Sequence, residues 1–368
     1  MFSKPKIAFF FLGDVFYDAR CYNMVQSLAH TSCEIDVFHQ PKQENAEQTK
    51  LDGVCIYNIE SKYQRGWKRF YEWASKIKKI PKPQYDVIVA SDLYSLLGLK
   101  NKNQETKIIY DVRDFFDQLS VLNKKPFKKI IWSLLEKKYI KNVHTVLATS
   151  SEDEIYLKKK FKYQKSLNYK TIYNFPFLQK IQKTNYLRRH FSIPVHQRIL
   201  IYQGAVQRGR GIRKMLGCVQ GDESLCVVVV GGGEDKKYYQ QKARLLGLEN
   251  QCFFHEPVKY GNLFPITSSA DLGCALLSSD SLNNKYAVPN KIFEYAHCGL
   301  PVITSSLSVM KKYVEKFQLG KTTDVDNIKE LKKTIYVLLN NKEAYAQSDF
   351  LESFSWQKQE KQFLNLFK

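Results

Sequence analysis

The residue types able to do chemistry cluster in the second half of this 368-residue chain. One run, Pro289-Asn290-Lys291-Ile292-Phe293-Glu294-Tyr295-Ala296-His297-Cys298-Gly299-Leu300-Pro301-Val302-Ile303, reads as a loop, a short helix, a glycine stop and a buried strand. Pro289 suits a helix entry, Gly299 suits a C-terminal cap, and Pro301 prevents continuation. Glu294 is the one acid in the middle of that helix. A helix starting beside a strand end points its unpaired N–H groups at whatever lies ahead, which is a site for an anion such as a diphosphate. A second run, Tyr202-Gln203-Gly204, leads into Arg208-Gly209-Arg210-Gly211-Ile212. Gly204 and Gly209 permit a tight loop after a strand, and Arg208 and Arg210 can fork onto phosphate oxygens. On local sequence alone the same segment also reads as an exposed basic turn. Gly231-Gly232-Gly233-Glu234 lacks the G-x-G-x-x-G spacing of a dinucleotide fingerprint and reads equally as a strand-to-helix turn. Phe254-His255-Glu256-Pro257-Val258 is the loop after another strand.

The first half offers a different set. Gly13-Asp14-Val15-Phe16-Tyr17-Asp18-Ala19-Arg20 follows the first strand, and Asp18 is placed to cap the next helix, worth ~1 kcal/mol. Ser91-Asp92 and Asp111-Val112-Arg113-Asp114 end two further strands. Arg113 stays protonated and cannot act as a base. Asp324-Val325-Asp326 spells D-x-D, but its place just before a helix reads as capping, so no metal site is expected.

These residues need strands and helices to hold them. Strand patterns run over Lys6 to Leu12, Cys33 to His39, Val54 to Asn58, Tyr85 to Ala90, Lys107 to Tyr110, Thr145 to Thr149 and Thr171 to Asn174. Arg20 to Ala29, Lys128 to Tyr139 and Glu152 to Lys160 read as helices between them. The pattern restarts at Arg198 to Tyr202 and continues through Cys226 to Val230, Gln251 to His255, Leu272 to Leu276 and Pro301 to Thr304. Alternating strands and helices predict an α/β protein with parallel sheets covered on both faces. Two doubly wound domains result, residues 1–180 and 190–345, with the polar stretch Leu178 to Val195 as connection. The ligand is expected at the carboxyl ends of the strands, in the cleft between the domains. Residues 346–368, with the amphipathic stretch Phe354 to Phe367, close the chain.

The run from Pro289 to Ile303 closely resembles the donor-sugar motif of retaining glycosyltransferases of glycosyltransferase family 4. The resemblance is strongest from Tyr202 to Ser305 and extends over nearly the whole chain. It implies the GT-B fold, with two Rossmann-like domains and a C-terminal helix crossing back to the first. It implies that Glu294 binds the ribose of a nucleotide and that Arg210, directly before Gly211, neutralises the departing diphosphate. Arg208 is the second candidate, because this chain has Arg at both places. Gly204 and Gly232 would line the nucleotide side, and the backbone of the loop His255, Pro257 and Val258 would read the base. The family often has a second glutamate eight positions before Glu294, where this chain has Tyr286. Asn290, Lys291 and Phe293 at the helix start belong to a similar branch and are donor-binding candidates. On the acceptor side the resemblance points to Gly13, Asp14, Asp18, Arg20 and Asp92, and to Arg113 where the family usually has His. It implies a nucleotide-diphosphate sugar donor, UDP or GDP, with no tightly bound cofactor and no metal required.

Bulk properties narrow the partners. The chain is 44% hydrophobic, which excludes a disordered protein, and it has no apolar run long enough to span a bilayer. Lys4-Pro5-Lys6 and the apolar residues after it superficially resemble a signal peptide. With a short core and no small-residue cleavage site, they read instead as a buried first strand. The eight cysteines form no C-x-x-C pair and suit a reducing compartment, hence the cytoplasm. Net charge is +21, and residues 1–183 hold 32 basic and 19 acidic residues. Such an excess favours an anionic partner. Lys62 to Trp73, Lys124 to Trp132 and Lys158 to Tyr163 interleave lysines with aromatics, as interfacial helices do. They read either as docking on the anionic inner face of the plasma membrane, where a lipid-linked saccharide acceptor resides, or as solvated basic helix faces; docking is the expectation. No nucleic-acid motif appears. The expected activity is a retaining hexosyltransferase of polysaccharide or glycolipid synthesis. A sugar-nucleotide epimerase on the same fold, or a non-catalytic partner in an assembly complex, are the alternatives.

Overall fold

Short runs of β-branched and aromatic residues, apolar on both faces, can only be buried as parallel strands with helices on either side. The computed structural model describes residues 4–41, 51–63, 66–81, 84–99, 105–119, 122, 125–280, 284–285, 288–341 and 348–368. They form two units, Met1–Asn174 with Gln359–Lys368, and Phe175–Lys358. The division, between Asn174 and Phe175, falls a few residues before the expected connection, Leu178 to Val195.

The first unit carries β1 (Lys6–Phe11), β2 (Glu34–His39), β3 (Val54–Asn58), β4 (Val87–Ala90), β5 (Lys107–Asp111), β6 (Thr145–Ala148) and β7 (Asn168–Thr171). They pair in parallel in the order β3-β2-β1-β4-β5-β6-β7. The order reverses between β1 and β4, the switch point of a doubly wound sheet. The helices are α1 (Ala19–Ala29), α2 (Gly66–Lys79), α3 (Leu93–Gly98), α4 (Pro126–Tyr139) and α5 (Ser151–Lys160). β7 lies earlier than the expected Thr171 to Asn174. It is the sheet's edge, so its residues are only partly covered and lack the apolar run that marks a central strand. Of the three basic aromatic segments, that ending α5 is partly core. Lys160 bridges Glu136 at 2.6 Å and Asp117 at 2.8 Å, and Phe161 is buried.

The second unit carries α6 (Tyr186–Phe191), β8 (Arg198–Gln203), α7 (Ile212–Val219), β9 (Leu225–Val230), α8 (Lys236–Leu245), β10 (Cys252–His255), α9 (Leu263–Thr267), β11 (Leu272–Ala275), α10 (Asn290–His297), β12 (Val302–Ser305), α11 (Ser308–Lys316), β13 (Gly320–Thr323), α12 (Ile328–Asn340) and α13 (Ser348–Ser353). Its parallel sheet has the order β10-β9-β8-β11-β12-β13, with the switch point between β8 and β11. Val227 and Val229 of β9 and Leu200 of β8 pack on Met215 and Leu216 of α7 and Leu331 and Ile335 of α12 in one core. A helical turn also forms within the connection. Arg188 of α6 holds Asp271 at 2.9 Å, a partner far along the chain that local sequence does not reveal.

The end of the chain is two helices, not one. Phe350 and Phe354 insert their rings among Phe293, Tyr313 and Phe317 of the second unit. The chain turns there and α14 (Trp356–Leu364) follows. Its start stays in the second unit through Trp356 N–H to Pro176 O, 2.8 Å. From Gln359 onward it belongs to the first, where Gln359 accepts from Tyr173 N–H at 2.8 Å and Glu360 accepts from Ser27 at 2.6 Å.

Candidate active site

The carboxyl ends of β8 and β11 border the switch point of the second unit, and the candidate donor residues gather there. Three glycines shape the loop after β8, where positive φ values exclude most side chains. Gly204 has φ +121°, Gly209 has φ +77° and Gly211, the N-cap of α7, has φ +84°; a Cβ on Gly211 would collide with Leu276. Gly231 opens the loop after β9 at φ +139°, with no room for a Cβ against the Gly204 carbonyl. Val206 N–H donates to Gly232 O at 2.9 Å, and a Cβ at Gly232 would meet Pro257 at 3.0 Å. The loops carrying Gly204, Gly232 and Pro257 are thus contiguous.

α10 begins after Pro289 without a side-chain cap and ends where Gly299 takes φ +70°. Glu294 is 5% exposed. Its Oε2 accepts from Gln203 Nε2 at 2.5 Å, and Gln203 Oε1 accepts from the Thr267 hydroxyl at 2.7 Å. The Gln203 backbone N–H donates to the Tyr295 hydroxyl at 3.1 Å. Phe293, expected among the donor residues, instead faces the core, edge-on to Phe175 with ring centroids 4.8 Å apart.

One turn before Glu294, the Lys291 ammonium lies 3.9 Å from the centre of the Tyr202 ring. A Cβ at Gly204 would meet that ammonium at 3.5 Å. Burial pulls Lys291 down to about 7, and the nearby Arg210 charge adds to the fall, while Glu294 and Cys274 oppose it. Arg208 is placed differently. Its backbone N–H and Nε reach Asp235 at 2.9 and 3.4 Å, its guanidinium lies 4.8 Å over the Tyr238 ring, and its side chain is 74% exposed. It lines a cavity of ≈ 520 Å³ with Gly209, Gly211, Arg213, Lys214, Ser278 and Asp326. His255 is engaged on both nitrogens, Nδ1 with Glu256 O at 2.7 Å and Nε2 with Tyr186 hydroxyl at 3.0 Å. Its neighbours Pro257 and Val258 are half-buried, and Asn290 opens α10. Tyr286 lies outside the described residues.

The acceptor-side candidates in the first unit hold one another. Asp18 caps α1 by accepting from Cys21 N–H at 2.9 Å and pairs with Arg113 at 2.5 Å. Burial pushes the Asp18 carboxyl up, but Arg113 and the hydrogen bonds from Cys21 together outweigh it and the net shift is downward. Arg20 is 0% exposed, forks onto Asp111 at 2.6–2.9 Å, and donates to Asn174 at 2.8 Å and to Ile172 O. Asp14 accepts from Phe16 N–H at 3.1 Å beside His39. Asp92 accepts from Leu12 and Ser95 N–H at 2.9 and 2.6 Å, and burial pushes its carboxyl up. Gly13 packs against the Phe11 ring. In the D-x-D segment, Asp324 accepts from Asp326 N–H at 2.9 Å and Asp326 pairs with Lys214, while the cap of α12 is Asn327. Among the described residues no group of His, Cys, Asp and Glu has metal-binding geometry. Gln203 and Thr267 were not singled out by sequence. Only the position of Gln203 next to Gly204 hinted at a role, and Thr267 joins it across 64 residues.

Two sheets of the 3-2-1-4-5-6 type, with glycine loops and a short helix at a switch point, define the GT-B class of glycosyltransferase folds. Residues 184–349 match the family model of glycosyl transferases group 1. Among solved structures the chain is similar to sucrose-phosphate synthase from Thermosynechococcus elongatus, with TM-score 0.78 and 16% identity over 99% of this chain and 98% of that one. It is similar to HepE from Anabaena in complex with UDP and glucose, with TM-score 0.72 and 14% identity over 98% and 99%. It is also similar to WaaG, a glycosyltransferase involved in lipopolysaccharide biosynthesis, with TM-score 0.60 and 14% identity over 98% and 95%. No curated protein sequence matches it. Fold and family match together support a glycosyltransferase that takes its sugar from a nucleotide donor.

Proposed function

We propose that this chain is a retaining glycosyltransferase that moves a sugar from a UDP- or GDP-sugar to a hydroxyl of a lipid-linked saccharide. The observation that carries the reading is the trio Glu294, Lys291 and Arg210 around the start of α10, inside the family-matching segment. Glu294 takes the ribose. Arg210, Lys291 and the first N–H groups of α10 take the diphosphate, and the loop from His255 to Val258 reads the base through its backbone. Arg208, bound to Asp235 and Tyr238, is the weaker candidate for the diphosphate. HepE was solved with UDP-glucose, which supports a uridine donor.

In the reaction the bond from the anomeric carbon to the diphosphate oxygen breaks, and the acceptor oxygen bonds to that carbon from the same face. The acceptor proton passes to the departing phosphate. The protein's main contribution is fixed positive charge where negative charge develops, the largest single factor in many such sites.

Docking on an anionic bilayer is supported by the first unit's surface. α2 exposes Trp67 (70%) and α4 exposes Phe127 (79%), with Ile130, Ile131 and Leu134 also exposed. Lys68, Lys128 and Lys129 flank them, and Phe70, Tyr94 and Trp132 pack the two helices together. Gln64, Arg65 and Lys124 of these segments lie outside the described residues. No described helix is long and apolar enough to cross a membrane.

A thermal-shift panel of UDP, GDP, ADP and dTDP with their common sugars tests the donor assignment, because a ligand of the folded state raises the melting temperature by mass action. One nucleotide raising it fixes the base. No shift with any of them removes the donor site. The anomeric configuration of the product, read by NMR, tests retention.

A further inference from the structure

We infer that Gln203 and Thr267 are positioning residues that orient the Glu294 carboxylate and thereby set the preference of this site for ribonucleotides over 2′-deoxyribonucleotides. The inference rests on Glu294 as the ribose residue. A buried amide side chain has an acceptor end and a donor end, and its partners decide which way it lies. The Thr267 hydroxyl donates to Gln203 Oε1 at 2.7 Å, shorter than its alternative approach of 3.1 Å to Leu263 O. That contact sends the NH₂ end to Glu294, where it donates at 2.5 Å. With the hydroxyl removed, the amide loses the anchor on its oxygen end and is free to swing off the carboxylate. All three side chains are buried, so water does not replace the lost partner.

The arrangement is anchored on the backbone as well. Gln203 is the last residue of β8, and its N–H donates to the hydroxyl of Tyr295, the neighbour of Glu294 on α10. Tyr295 in turn approaches the carbonyls of Ile201 and Cys274 at 3.3 and 3.4 Å, on the two strands that border the switch point. β8, α9 and α10 are therefore joined at the Glu294 side chain. A carboxylate held in one rotamer meets a sugar hydroxyl without first being ordered, and preorganisation of this kind is read as affinity for the group it meets. The diphosphate contacts do not pass through this relay.

The test is titration calorimetry with UDP and 2′-deoxy-UDP, or with GDP and 2′-deoxy-GDP, and with inorganic pyrophosphate as the control ligand. Thr267→Val and Gln203→Met are expected to lower the ribo-to-deoxy affinity ratio about tenfold, the effect of losing one hydrogen bond to a charged group. Pyrophosphate affinity stays within about twofold, and Thr267→Ser keeps the wild-type ratio. A wild-type ratio in Thr267→Val and Gln203→Met, lost in Glu294→Gln, overturns the relay while leaving Glu294 on the ribose. A ratio near one in the wild type, or one unchanged in Glu294→Gln, overturns the ribose assignment itself.

Discussion

If Lys291 meets the diphosphate, donor binding takes up a proton. Its ammonium sits on the Tyr202 ring beside Gly204, and burial with the Arg210 charge pulls it down to about 7. Only the charged form attracts the donor. Affinity is therefore greatest below pH 7 and is lost as pH rises through 7. The apparent dissociation constant scales with the inverse of the protonated fraction, so it weakens about tenfold between pH 6 and pH 8. A sugar nucleotide isolates this effect, because its diphosphate is doubly esterified and does not titrate in that interval. Among the groups facing the ammonium, burial pushes the Tyr202 hydroxyl and the Cys274 thiol up. Titration calorimetry at pH 8 in two buffers of different ionisation enthalpy should count about 0.9 proton taken up per donor bound. Lys291→Met should bind more weakly at pH 6 and with no slope. The unliganded protein should respond in the opposite sense. A lysine with a lowered folded pKa opposes folding below that pKa, and the penalty fades as pH rises from about 7 toward its unfolded value. Lys291→Met should raise the melting temperature of the unliganded protein, most at pH 6. Wild-type donor affinity that stays flat from pH 6 to pH 8 would refute the reasoning.

Arg210→Ala should cut turnover about 100-fold, the usual cost of removing a charge-stabilising group, with a smaller effect on donor affinity; near-normal turnover would transfer the role to Arg208. Asp111→Asn removes the charge facing the fully buried Arg20, and breaking such a pair costs about 3–5 kcal/mol, measured by urea unfolding. A loss under about 1 kcal/mol would mean that Arg20 finds water or another partner. Replacing Trp67 and Phe127 together by Glu should abolish co-sedimentation with phosphatidylglycerol vesicles while leaving the donor-induced thermal shift intact; unchanged sedimentation would remove α2 and α4 from the docking surface.

The architecture was legible where the chain carries strong local signals. β9 is Leu-Cys-Val-Val-Val-Val followed by glycines, and every residue of it is buried. Gly211, Gly231 and Gly299 hold positive φ values that few other residues adopt, so they marked turns before any contact was known. The partly covered β7 carried little signal, and a bend at Phe354 that depends on a distant aromatic cluster carried none. In the site, residue types pointed to Glu294, Arg210 and Lys291, but not to how they are held. The bond from Gln203 to Glu294 spans 91 residues and that from Arg20 to Asp111 also spans 91, distances at which local periodicity contains no information. The core packing of the Phe293 ring was not legible for a related reason. On a helix, the residue beside a functional one points about 100° away from it, here into the core.

The first unit is strongly basic, yet its buried Arg20 and half-buried Arg113 are not the source of a free positive field. Arg20 lies on Asp111, and Arg113 lies on Asp18 and over the Phe11 ring at 5.0 Å. Lys160 is held between Glu136 and Asp117. Each pair fixes a loop or helix start near the sheet: Asp18 caps α1, Asp111 ends β5, and Glu136 also accepts from Tyr110 of β5 at 2.9 Å. A buried ion pair has its charge cancelled at close range and adds little potential at the surface. The excess must therefore be expressed by exposed lysines such as those of α2 and α4, which stand beside exposed aromatic and aliphatic side chains. Arg113, which the resemblance puts on the acceptor side, is thus engaged by Asp18 and the Phe11 ring.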